Sequence, residues 1–139
     1  MSAYDPKLSH FDLDFKRGAQ GEIFVDDVRK MLADGSGTIE VKTDDKFIES
    51  KRLYVEEECR GRDGIWRPSG LAVTKAHLWA FVFGEQPGMM VVETEWLRRA
   101  VVEAKQHPSN RVECKYGENP TKGTCVSINH FIKTARINS

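Results

Sequence analysis

The chain has 139 residues, 40% of them hydrophobic and 30% charged, with 21 basic and 21 acidic side chains and so no formal net charge. That length and composition suit one globular domain with a real core rather than a disordered chain, and zero net charge speaks against non-specific coating of polyanions. No apolar run approaches the roughly 18 residues of a membrane span, and the N-terminus lacks the apolar stretch of a secretory signal.

Residues 1–17 are polar and mixed, with Phe11, Leu13 and Phe15 alternating. Alternation of this kind predicts a short edge strand or an N-terminal arm laid on a domain formed by residues 18–139. Gly18 to Gly21 breaks the pattern, and a helix is expected to follow. Its apolar residues Phe24, Val28, Met31 and Leu32 recur at helical spacing, and Asp34-Gly35 provides the stop. Glu22 stands in the first turn at the edge of the apolar stripe, where an acid suits the helix dipole.

The stretch from Gly37 to Gly61 holds most of the residues able to do chemistry. Two strands are expected in it, Thr38–Thr43 and Arg52–Cys59. Successive strand side chains point to opposite faces. Glu40, Lys42 and Asp44 therefore share a face opposite Ile39 and Val41, and Tyr54, Glu56 and Glu58 share one opposite Leu53 and Val55. If the two strands pair, several carboxylates and one ammonium converge on one side, an oxygen-rich setting that suits magnesium. A plain solvated outer face has the same alternation. Glu56, Glu57 and Glu58 in succession are poor strand formers, however, and such violations are expected mainly at functional or strained sites.

Arg67-Pro68-Ser69-Gly70 is a turn signal, and Thr74 can cap a short helical turn. Leu78–Phe83 is an apolar run of strand length, expected to be buried on both faces, with Met89–Val92 as its hairpin partner. Thr94–Gln106 predicts a second helix. Trp96, Leu97, Ala100, Val101 and Ala104 form its stripe, Thr94 its N-cap, and His107-Pro108 its end. A strand near Arg111–Lys115, a loop, a strand at Thr124–Ile128 and a helical piece from Asn129 complete the chain. Lys115, Lys122, Lys133 and Arg136 form a candidate basic rim. The architecture expected is α/β, with a mixed central sheet flanked by the two helices.

Cys59, Cys114 and Cys125 form no Cys-x-x-Cys, and His10, His77, His107 and His130 are scattered. The thiols fit a reduced, cytoplasmic setting and carry no zinc signature. Dinucleotide, P-loop and serine-hydrolase motifs are absent.

The ordered set Lys42-Thr43-Asp44, Val55-Glu56-Glu57-Glu58, Ser69-Gly70 and Thr74-Lys75-Ala76, leading into Leu78-Trp79-Ala80-Phe81, resembles the PD-(D/E)XK nuclease superfamily. The likeness is to its small phage and prophage members, and it covers about Gln20 to Phe83. The resemblance implies a restriction-endonuclease-like αβββαβ core. It also implies hydrolysis of DNA phosphodiester bonds, structure-selective or weakly sequence-selective, with Mg2+ (or Mn2+). On that reading Asp44 and Glu56, with Glu58, hold the metal, Lys42 orients water or offsets charge, and Glu22 is the helix acid. Ser69, Thr74 and Lys75 face nucleic acid. DNA is the implied partner, with no membrane, and a homodimer is compatible with it.

Glu58 stands where the superfamily usually carries lysine, and Lys42 is the available substitute. In an alternative register Glu40-Val41-Lys42 is itself the E-x-K, with Asp34 as the aspartate. Too little chain separates the helix from Glu40 for two strands, which favours the first register. A competing reading is a catalytically degenerate, DNA-binding or assembly module of the same fold. Another is an α/β interaction domain with an acidic sheet face.

Overall fold

The computed structural model describes residues 6–34, 39–84, 88–115 and 117–135, with side chains from residue 18 onward. Gly35, Gly37, Thr38 and Arg136 lie outside these. Backbone contacts divide the chain into two units, Met1–Gly37 and Thr38–Ser139.

In the first unit, helix α1 (Pro6–Asp34) runs 29 residues without interruption. The expected strand or extended arm around Phe11–Phe15 is therefore helical backbone, and Gly18–Gly21 does not break it. A glycine within a helix costs about 1 kcal/mol relative to alanine. Stopping and nucleating a second helix would cost more, because nucleation fixes several residues for one hydrogen bond. Downstream, Asp26 pairs with Arg29 at 2.8 Å and with Lys30 at 3.1 Å, one turn away. The Arg29 and Lys30 hydrogen bonds hold the Asp26 carboxyl below the usual carboxylate range. Of the expected apolar stripe, Val28 is buried and Met31 half-buried, while Phe24 and Leu32 are exposed.

The second unit is α/β, with its strands in two sheets rather than one. Strands β1 (Ile39–Thr43), β4 (Leu78–Val82) and β5 (Met89–Glu93) form the first, in the order β1-β4-β5. It is mixed: β1 runs parallel to β4, and β4 antiparallel to β5. The β4–β5 hairpin is the one expected from its two apolar runs, and Leu78, Trp79, Ala80 and Phe81 are all buried. Strands β2 (Arg52–Arg60), β3 (Trp66–Pro68), β6 (Arg111–Cys114) and β7 (Thr121–Ser127) form the second sheet, in the order β3-β2-β7-β6. All its pairings are antiparallel. The two acid-bearing strands therefore do not pair. β1 joins β4, β2 joins β7 and β3, and a one-turn helix α2 (Phe47–Ser50) lies between them in the chain.

Helix α3 (Thr94–Ala104) buries Leu97, Ala100, Val101 and Ala104, as its stripe predicts. Thr94 is its first residue rather than its N-cap, because its hydroxyl donates to the Ala76 carbonyl at 2.6 Å. Helix α4 (Ile128–Thr134) packs on α3. The Trp96 and Phe131 rings stack at 4.2 Å, and the Trp96 indole donates to the Phe131 carbonyl and the Thr134 hydroxyl. One core joins both sheets and both helices through Trp79, Phe81, Leu53, Val126, Leu97 and Phe131. Burial of each such side chain contributes about 1.5–3 kcal/mol.

Among the described residues no helix is long and apolar enough to cross a membrane.

Candidate functional site

Side chains at directly opposed ladder positions point to the same face. Glu40 and Lys42 oppose Trp79 and Phe81, so they share a face, as their spacing predicts. Because β1 is an edge strand their charged heads still reach solvent. The Lys42 ammonium lies 3.1 Å from Glu40 and 5.8 Å from the centre of the Trp79 ring.

Asp44 follows β1 and spans the gap to the second sheet. One carboxylate oxygen accepts the Lys46 N–H at 3.1 Å and the other the Tyr54 N–H at 3.3 Å. Each carboxylate oxygen has two lone pairs, so both keep acceptor capacity. This contact brings Asp44 to β2, whose pairing with β7 sorts the remaining acids.

Leu53 and Val55 oppose Val126 and Thr124 on the inner, core-facing side. Tyr54 and Glu56 oppose Cys125 and Gly123 on the outer side. The register then shifts between Glu56 and Glu58, and Glu58 opposes Lys122 on the inner side. This is a β-bulge with Glu57 as the extra residue. Glu56 and Glu58, expected to share a face, therefore point to opposite ones.

Glu57 is held on the inner side. The Thr124 hydroxyl donates to it at 2.7 Å, and the Lys105 ammonium from the end of α3 forms an ion pair with it. Beyond the core this inner side opens into a cavity of about 490 Å³ lined by Glu57, Glu58, Lys105, Arg111, Lys122 and Thr124, among others. The strand pattern alone assigns Glu57 no role. The run of three glutamates on an alternating strand was its one local signal.

On the outer side two carboxylates bear on one cross-strand pair. Burial pushes the Tyr54 hydroxyl above its usual range. The Thr121 hydroxyl, 2.7 Å away, opposes that, and the charges of Cys114, Glu56 and Cys125 add to it. Burial likewise pushes the Cys125 thiol up. Arg52 opposes the shift, and Asp44 and Cys114 reinforce it. Tyr54 and Cys125 are register partners, and Glu56 follows two residues after Tyr54 on the same face. Gly123 leaves room there for the Tyr54 ring, since a Cβ on it would meet that ring at 2.9 Å and the Val55 carbonyl at 2.2 Å.

The remaining candidates are dispersed. Glu22 is exposed on α1, in the other unit. The Ser69 N–H donates to the Glu57 carbonyl at 2.8 Å, and its hydroxyl is buried without a partner among the described residues. Gly70 adopts a positive φ of 51° against the Glu56 carbonyl, so Ser69-Gly70 backs the bulge. Thr74 follows the 3₁₀ turn Gly70–Ala72 and does not cap it. Its hydroxyl accepts the Ala76 N–H at 3.2 Å. Lys75 is exposed.

Among the described residues no three His, Cys, Asp or Glu side chains come together in a way that could hold a metal ion. Asp44 reaches β2 at the Tyr54 N–H, and Glu56 stands two residues further along that strand. Two carboxylates are a sufficient protein donor set for magnesium, which keeps several waters and takes further oxygens from phosphate. Glu58, on the other face, is outside that set.

No protein-family model matches the chain, and neither a curated protein nor a solved structure does.

Proposed function

We propose that the chain is a metal-dependent nuclease acting on DNA, with Asp44 and Glu56 as its metal-holding carboxylates. The observation that supports this is the hydrogen bond from the Tyr54 N–H to the Asp44 carboxylate at 3.3 Å, which sets Asp44 against β2 two residues before Glu56. A helix followed by β1, the one-turn α2, β2 and β3 is compatible with the start of a restriction-endonuclease-like core, although β1 pairs with β4 and not with β2. Magnesium or manganese, when bound, would acidify its water and neutralise charge on the phosphate.

The protein's own groups have distinct tasks. The Tyr54 and Lys46 N–H groups fix the Asp44 carboxylate and leave its outer lone pairs open. The Glu56 carboxylate makes no hydrogen bond or ion pair among the described residues, so its oxygens need not leave a protein partner to take a ligand. Lys42, two residues before Asp44 in the chain, would supply the cation that the third motif lacks. Glu40 holds its ammonium until a phosphate oxygen competes for it.

The test is cleavage of supercoiled, linear, branched and single-stranded DNA, and of RNA, with magnesium or manganese. Glu56→Gln should reduce cleavage about a hundredfold or more with an unchanged melting temperature. Glu58→Gln should cleave as the parent does. Absence of cleavage by the parent protein on every substrate with either metal overturns the reading.

A non-catalytic binding module is the second reading. It is favoured by the hydrogen bond that each Asp44 oxygen already makes to the backbone. Under it Asp44→Asn lowers the melting temperature, and neither metal raises that of the parent.

A further inference from the structure

We propose that β6 is a dimerisation edge, pairing antiparallel with β6 of a second copy of this chain. β6 ends the order β3-β2-β7-β6, and among the described residues no strand pairs on its outer side. An unpaired edge is a template for another strand, and the partner's side chains must then match at alternate positions.

The sequence of β6 is self-complementary about Val112. Antiparallel pairing centred there sets Arg111 against Glu113 of the second copy, and Glu113 against its Arg111. Val112 meets its own counterpart. A two-fold interface requires this reciprocity.

Both charges are left over within the protomer. Arg111 and Glu113 are exposed on the inner side, and neither forms an ion pair among the described residues. Lys122 is the register partner of Glu113 and the obvious internal counter-ion. Its ammonium instead lies 4.1 Å from the centre of the Trp66 ring on β3, on the side of the sheet away from β6. Cation–π contact with tryptophan offsets the lost ion pair, and Glu113 is left facing the open edge. The partner chain supplies what Lys122 does not. The pairing runs two four-stranded sheets into one, with the two cavities on the same side of it.

This inference is independent of the proposed nuclease activity. A four-residue edge is small beside standard interfaces, so the dimer should form in the micromolar range and weaken with salt. Sedimentation velocity of the full chain across micromolar to several-hundred-micromolar concentrations measures it. Arg111→Glu sets two carboxylates against each other at each cross-strand pair, and Glu113→Arg sets two guanidinium groups there. Each should weaken the dimer about tenfold or more. In an equimolar mixture of the two variants, the mixed dimer places two carboxylates on one strand against two guanidinium groups on the other. The mixture should therefore recover dimer, as should the double reversal within one chain. Recovery in the mixture also excludes misfolding as the cause. A parent protein that stays monomeric at the highest concentration overturns the proposal, as does a dimer that survives both single reversals.

Discussion

The Thr124 hydroxyl donates to the Glu57 carboxylate at 2.7 Å, from a residue 67 positions away in sequence. With Lys105 it keeps the bulged glutamate on the inner side of the sheet, and so leaves Glu56 on the outer side with Tyr54. Stability and site geometry are therefore coupled through a residue that touches neither candidate ligand.

Removing either partner of Glu57 should be costly. Thr124→Val deletes a buried hydrogen bond to a charged group and should destabilise by about 1.5–3 kcal/mol. Lys105→Met should cost less, about 1 kcal/mol, because its side chain is 35% exposed and water screens the pair. Chemical denaturation of the two variants and their double mutant should show a non-additive coupling. Additive losses would mean that Glu57 is not shared between them.

Gly123→Ala tests the close packing on the outer face. The added methyl carbon would sit 2.2 Å from the Val55 carbonyl and 2.9 Å from the Tyr54 ring, so β2 and β7 must separate. We expect a loss of about 3 kcal/mol. Tyr54→Phe keeps the ring and removes only the 2.7 Å contact with the Thr121 hydroxyl, so it should cost about 1 kcal/mol. Thermal melts of the two variants should rank in that order, and equal losses would contradict the packing argument.

A surface pair gives a pH test. Arg67 donates to Asp63 through two nitrogens, at 3.1 and 2.6 Å, and the Ile65 N–H donates as well. Chiefly through Arg67, the Asp63 carboxyl is lowered from 3.8 to about 2. The unfolded chain then binds a proton more readily than the folded one. The stability from this pair is fully present above pH 3.8 and is lost as pH falls through about 2. The difference in unfolding free energy between parent and Asp63→Asn should shrink across that window and stay constant above it. The turn is exposed, so the effect should be modest and should fall further with salt.

Local periodicity carried much of the fold. The stripe of Leu97, Ala100, Val101 and Ala104 and the apolar runs of β4 and β5 each state their own element, because burial on one helix face or within a hairpin is written within a dozen residues. The shared face of Glu40 and Lys42 was legible for the same reason. At Phe11–Phe15 the local pattern misled. Alternation there competes with helix propagation from both sides, and propagation wins.

What the sequence by itself determined is thus which residues alternate and which acids cluster in Gly37–Gly61. Which strands pair was decided by tertiary structure, since β1 finds its partner in β4 across the whole acidic stretch, and β2 finds β7 near the far end of the chain. The side of the sheet taken by each glutamate was decided the same way. An ideal strand puts Glu56 and Glu58 together, and a single extra residue sends them apart. That extra residue is held by a hydroxyl from β7 and an ammonium from α3, neither of which leaves a trace in the local spacing of β2.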